Sequence, residues 1–230
     1  MLFSQPVIVL GSKPNSVIPN LNFKKIYTAN GAAELGSQIK IDNIETQLNC
    51  VVPMREFLKN SHVKEKVLNS NPNRVIFRTY ERDIKNLFKK NCIIENLSWK
   101  EQFDIQCKYI NYSPYRLYLG ELQRNTNITG KIKHMINCII KKQFFVISTG
   151  FFAIMLAHKE NPSSDIIVSG IGMSGGKNFY NSERNKIFDY TPRARVDRYI
   201  AKFIKQSLRS KIYSVDDDFV EYTQTKKLVI

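Results

Sequence analysis

Val146-Ile-Ser-Thr-Gly-Phe-Phe-Ala-Ile-Met-Leu-Ala157, followed after a polar break by Asp165-Ile-Ile-Val-Ser-Gly-Ile171, decides how this chain reads. A short apolar segment runs into Ser148-Thr149-Gly150, a compact apolar helix follows, and a second buried strand stops at Ser169-Gly170. Ser or Thr at that junction can cap the helix. The amides left over in its first turn favour an anion such as a phosphate. An ordinary capped core helix fits the same residues.

Outward from this stretch, short continuous apolar runs alternate with helical spacing. Residues 6–10, 25–29, 48–52, 74–78, 92–94, 166–168 and 211–215 read as strands. Such runs suit strands buried on both faces. Helical spacing falls in 55–69, around 84–88, in 115–122, in 131–142 through Ile132, Met135, Ile136, Ile139 and Ile140, and in a basic amphipathic stretch over 196–209. The alternation predicts an α/β fold with a mostly parallel, Rossmann-like sheet sandwiched by helices. One domain over 1–230 suits this length. Residues 98–130, aromatic and polar together, form a possible lid or acceptor subregion. In such sheets ligands bind beyond the carboxyl ends of the strands. Gly11, Gly31 and Gly170 are the glycine-bearing strand ends expected there.

Composition bounds the partners. Lys and Arg outnumber Asp and Glu by 35 to 20, a net charge of +15. That suits nucleic acid, an anionic membrane surface or phosphorylated small molecules; an AT-rich genome, whose codons favour Lys, Asn and Ile, accounts for it equally. Cys50, Cys92, Cys107 and Cys138 form no C-x-x-C pair and read as reduced thiols. The three histidines, His62, His134 and His158, form no metal-binding motif, so neither a metal nor another cofactor is expected. The N-terminus lacks the pattern of a signal peptide, and the longest apolar run, 144–157, is too short for a membrane span. The expected location is the cytoplasm. The basic face of 196–209 either packs on the sheet or touches the inner face of a membrane.

Other segments hold chemistry more weakly. Gly11-Ser12-Lys13-Pro14-Asn15 lets backbone approach a phosphate, but is neither a dinucleotide fingerprint nor a Walker loop. Asn30-Gly31 ends a strand, and an amide side chain there can donate to and accept from a base; a plain turn is the simpler account. Asp216-Asp217-Asp218 follows the last strand and reads as a solvated turn rather than a metal-binding D-x-D. His158 reads as a helix-terminal histidine on the helix dipole.

The two opening segments resemble the donor-binding motif of sialyltransferases, and are similar to the bacterial lipooligosaccharide sialyltransferase family. Gly11 and Pro14 match that family's first loop, and Asn30 stands where its second strand ends in a nucleotide-contacting Asn. The resemblance covers most of the chain but not its middle. It implies a GT-A-like variant fold and metal-free, inverting transfer of an acidic sugar (sialic acid, a pseudaminic-type sugar or Kdo) from a CMP-activated donor to a surface-glycan or glycolipid acceptor. Gly11, Ser12, Asn30, Gly31, Ser148, Thr149, Gly150 and Gly170 would bind the nucleotide. Tyr180, with Tyr190 behind it, would hold the leaving phosphate. The family's basic histidine has no counterpart, because Arg193 or Arg195 falls in its place. Arg195 would then clamp the phosphate or the sugar carboxylate. Asp189 would take the acceptor proton, with Asp197 second. The alternatives are a non-catalytic basic RNA-binding module that stacks bases on the aromatics of 99–124, and a small-molecule methyltransferase. Oligomeric state is open.

Overall fold

A computed structural model describes residues 6–14, 16–39, 46–78, 84–111, 114–141, 146–174 and 191–229. In chain order its elements are β1 (Val7–Leu10), β2 (Lys25–Ala29), a 3-10 turn (Asn30–Ala32), α1 (Ala33–Ser37), β3 (Gln47–Pro53), α2 (Met54–Lys59), α3 (Ser61–Asn69), β4 (Arg74–Arg78) and a 3-10 turn (Lys85–Leu87). There follow β5 (Ile93–Leu97), α4 (Trp99–Tyr109), α5 (Pro114–Leu122), α6 (Ile128–Lys141), α7 (Thr149–Glu160) and β6 (Ile166–Ser169). The chain closes with α8 (Thr191–Ala201), α9 (Gln206–Arg209), β7 (Ile212–Ser214), α10 (Asp217–Thr223) and β8 (Lys226–Lys227).

The eight strands form one sheet in the order β5-β4-β3-β2-β1-β6-β7-β8, and every neighbouring pair is parallel. The chain lays β2 to β5 successively on one side of β1, then returns to build β6 to β8 on the other. The β1/β6 boundary is therefore the topological switch, where ligands in open α/β sheets bind.

The period of two along each apolar run divides its residues between two cores. Val7, Val9, Tyr27, Val51, Ile76, Ile166 and Val168 face α7. Ile8, Leu10, Ile26, Cys50, Val52, Val75 and Phe77 face the layer that contains α2 and α3. Helix α7 is buried on every side from Phe151 to His158, which explains its unbroken apolar sequence. Ile105 and Tyr109 of α4 and Leu117 of α5 belong to the same core as α7.

Several elements differ from expectation for local reasons. Asn60 adopts an extended backbone that splits the helix expected over 55–69, and its side chain accepts from Val63 N to cap the second piece. The helix expected near 84–88 is a single 3-10 turn. The basic helix over 196–209 breaks between Ala201 and Gln206. Its apolar residues Val196, Ile200, Ile204 and Leu208 are buried against the sheet, so packing accounts for this face. The turn expected at 216–218 leads into α10, with only Asp217 projecting to water.

Candidate functional site

Because the strands are parallel, Gly11, Asn30, Gly170 and Asp216 all follow strand ends at one rim of the sheet. Helix α7 reaches the same rim. At its last residue Glu160 meets Arg74, the first residue of β4, at 2.8 Å. At its first residue Thr149 Oγ1 meets Arg78 Nη1, on the last residue of β4, at 3.4 Å. The helix thus runs antiparallel to the strands, with its N-terminus at their carboxyl ends. Gly11, Asn30, Ser148, Thr149, Gly150 and Gly170 therefore share one rim.

They do not share one role. Gly11 N donates to Ser169 O (2.8 Å) and Lys13 N to Gly170 O (2.9 Å), which locks the β1 loop onto β6. A Cβ on Gly11 would lie 2.1 Å from Gly170 O. Gly170 has φ +75°, and a Cβ on it would lie 2.4 Å from Ser16 Oγ. These two glycines are required because two backbones touch. Ser12 lies in the same loop. Lys13 forms ion pairs with Asp218 Oδ1 (2.9 Å) and Asp216 Oδ1 (3.5 Å). Asp216 also accepts from Gly170 N (2.6 Å), and Asp218 from Met173 N and Ser174 N. The aspartates are thus a clasp across the switch rather than a solvated turn. Burial lowers the Lys13 pKa, but the two carboxylates outweigh it and the net shift is upward. Burial raises Asp218, yet Lys13 and the two amides bring it below the ordinary carboxylate range; burial leaves Asp216 above it.

Asn30 is different. It takes φ +54°, a left-handed backbone that Asn tolerates better than most residues. Its Oδ1 is buried with no hydrogen-bond partner among the described residues. A buried acceptor without a donor is costly in a folded protein, and strained, unsatisfied groups of this kind concentrate at ligand sites. Gly31 is buried in the 3-10 turn that follows.

The third component is at the N-terminus of α7. Ser148 is the N-cap, its Oγ accepting from Phe151 N (3.2 Å). Ser148 N in turn donates to Asp197 Oδ1 (2.8 Å). A Cβ on Gly150 would meet the Ile171 side chain at tight contact, 3.2–3.4 Å. Beside the cap lies Arg78, 1 % exposed. Its Nε donates to Gln102 Oε1 (2.9 Å), its Nη1 to Ile147 O (3.3 Å), and its guanidinium covers the Phe152 ring at 4.5 Å. Burial, then repulsion from Arg193, pushes the Arg78 pKa down to about 9. Burial, then repulsion from Arg124, pushes Arg193 down to about 10. Asp197 and Glu121 offset part of this, and burial raises the Asp197 pKa. Arg78, Arg193 and Arg124 thus lie within electrostatic reach of one another and of Asp197 and Glu121, beside the capped N-terminus of α7.

Arg193 joins this cluster. Arg195, expected as the phosphate clamp, instead donates to the carbonyls of Gln123 (3.1 Å) and Arg124 (2.8 Å) after α5. Tyr180, Asp189 and Tyr190 lie outside the described residues. Arg78 was missed from sequence. The available signal was Arg74 and Arg78 four apart on a buried strand, hence on one face, where they engage the two ends of α7.

His158 departs from the dipole reading: burial, then Lys211 and Lys108, lowers its pKa. Its ring packs edge-on to Tyr109. One group of possible metal donors exists among the described residues, Glu121, His134 and Cys138, with ligand atoms within 4.8 Å of one another. Glu121 already pairs with Arg124 and His134, which ties α5 to α6. No described helix is long and apolar enough to cross a membrane. Compared with known proteins, the chain matches no family model, no curated protein and no solved structure.

Proposed function

We propose that this chain is a glycosyltransferase that moves an acidic sugar from a CMP-activated donor to a glycan acceptor. The observation that carries this reading is the buried, unsatisfied Asn30 amide on the same rim as the capped N-terminus of α7, with the Arg78 guanidinium beside that cap. One end suits a phosphate or a sugar carboxylate; the other suits the polar edge of a base. Asn30 reads the cytosine, while Ser148, Thr149, Gly150, Arg78 and Arg193 receive the anionic groups. Fixed donors in a water-poor site stabilise charge as it develops on the departing phosphate. The acceptor hydroxyl attacks the anomeric carbon, the bond from that carbon to the phosphate oxygen breaks, and CMP leaves with the electron pair. Attack from the opposite face inverts the centre. Asp189 takes the hydroxyl proton; Asp197 is the second candidate, its pKa raised by burial above the ordinary carboxylate value. Tyr180 donates to the leaving phosphate. Asp216 and Asp218, already engaged by Lys13 and by the backbone amides of Gly170, Met173 and Ser174, are poor candidates for a diphosphate-bound cation.

The RNA-binding alternative draws on the aromatics of 99–124. Several are engaged in packing: Phe103 contacts Tyr118, and Tyr109 is buried; Arg116 of the same stretch covers the Phe203 ring at 4.0 Å. Calorimetric titration with CMP, UMP and CDP, with and without Mn²⁺, tests the proposal. CMP is expected to bind most tightly and without Mn²⁺. A Mn²⁺-dependent preference for CDP, or no nucleotide affinity beside salt-steep RNA binding, would overturn it.

A further inference from the structure

Helix α6 carries Ile128, Ile132, Met135, Ile136, Ile139 and Ile140, and all six are exposed, from 39 % at Met135 to 75 % at Ile128. At 100° per residue they fill one arc of roughly 140°. The opposite side faces the protein, with Cys138 buried and His134 bonded to Glu121 of α5 at 2.8 Å. Helix α6 is thus held to the body by its polar side and presents its apolar side outward. Lys131 borders the apolar arc on one edge and Lys133 on the other, and residues 128–141 contain no Asp or Glu.

We infer that this face of α6 docks on an anionic lipid surface. An apolar stripe bordered by lysines is the pattern of helices that lie in the headgroup region, and a helix of 14 residues is too short to cross a bilayer. A second copy of the chain is the poorer occupant. Paired α6 helices would bring lysines together with no acidic flanking residue to meet them, between two bodies of charge +15 each. The contact uses the outer residues of α6, none of which is assigned to the proposed donor site, and it does not rest on that reading. It also moves the membrane-facing surface from the basic helix over 196–209, whose apolar side is buried, to α6.

Flotation of the full chain with vesicles tests the inference, using phosphatidylcholine alone and phosphatidylcholine mixed with phosphatidylglycerol. The chain is expected to float with the anionic vesicles only, and less at high salt. Ile132→Glu with Ile139→Glu, at exposed positions that leave the core intact, should abolish flotation. K131Q and K133Q should each weaken it about fivefold. Equal binding to neutral vesicles, or anionic binding untouched by the isoleucine substitutions, would overturn the inference. So would a dimer in sedimentation that those substitutions dissociate, with no vesicle binding.

Discussion

Asn30 pairs a left-handed backbone with a buried, unsatisfied Oδ1, so its backbone and side-chain roles are separable. Asn30→Gly keeps the conformation and removes the amide. Urea stability is expected to change by less than about 1 kcal/mol, while CMP affinity falls about tenfold or more; unchanged affinity would remove Asn30 from the site. Arg78 is the converse case, a charge whose burial depresses its own pKa to about 9. Arg78→Met removes the bonds to Gln102, Ile147 and Thr149 and should cost about 3 kcal/mol in urea unfolding. It should abolish anion binding. His158 gives a pH signature. Its folded pKa lies below the ordinary 6.5, so the neutral ring is favoured in the folded state. Stability is then full above about pH 6.5 and declines as pH falls through the folded pKa. Urea midpoints measured at about pH 7.5 and about pH 5 should show that decline, and His158→Phe should flatten it.

Among elements, strands were more legible than helices. A buried parallel strand is a continuous apolar run, so 25–29 and 74–78 match β2 and β4 residue for residue. β8 is two exposed lysines with no apolar signal, held by pairing with β7. Helices went astray where one side chain overrides a spacing pattern, as at Asn60. Helix α10 hid behind acidic residues whose partner, Lys13, lies some 205 positions away in sequence. The site was legible in part for the same reason. Hydroxyls and glycines next to strand ends announce themselves; Arg78 and Arg193 become a pair only through tertiary packing. The loops at the switch make a sharp contrast. Gly11→Ala drives a Cβ into the Gly170 carbonyl and should cost more than about 2 kcal/mol. Gly150→Ala meets only Ile171 side-chain atoms at 3.2–3.4 Å, and its urea midpoint should stay close to that of the parent chain.

At the scale of the molecule, an eight-stranded all-parallel sheet brings loops from distant parts of the chain to one rim. Alternation of apolar runs predicted a mostly parallel sheet of seven strands, while the eighth strand and the strand order followed only from the structure. The Lys13–Asp218 clasp closes the switch over β6 and β7. Asp218 lies below its ordinary pKa of 3.8 and Lys13 above its ordinary 10.5. The stability contributed by Asp218 is present above about pH 4 and lost as pH falls through its folded pKa; that of Lys13 is present below about pH 10.5 and lost above its folded pKa. Asp216, raised by burial, works against the acid loss. In the proposed function this rim holds a cytidine nucleotide between Asn30 and the α7 N-terminus. Calorimetric titration of CMP into the parent chain, N30G and R78M, each first shown to be folded by circular dichroism, tests it most directly. CMP is expected to bind the parent chain, to bind N30G about tenfold or more weakly, and not to bind R78M; parent-level affinity in both folded variants would overturn this site.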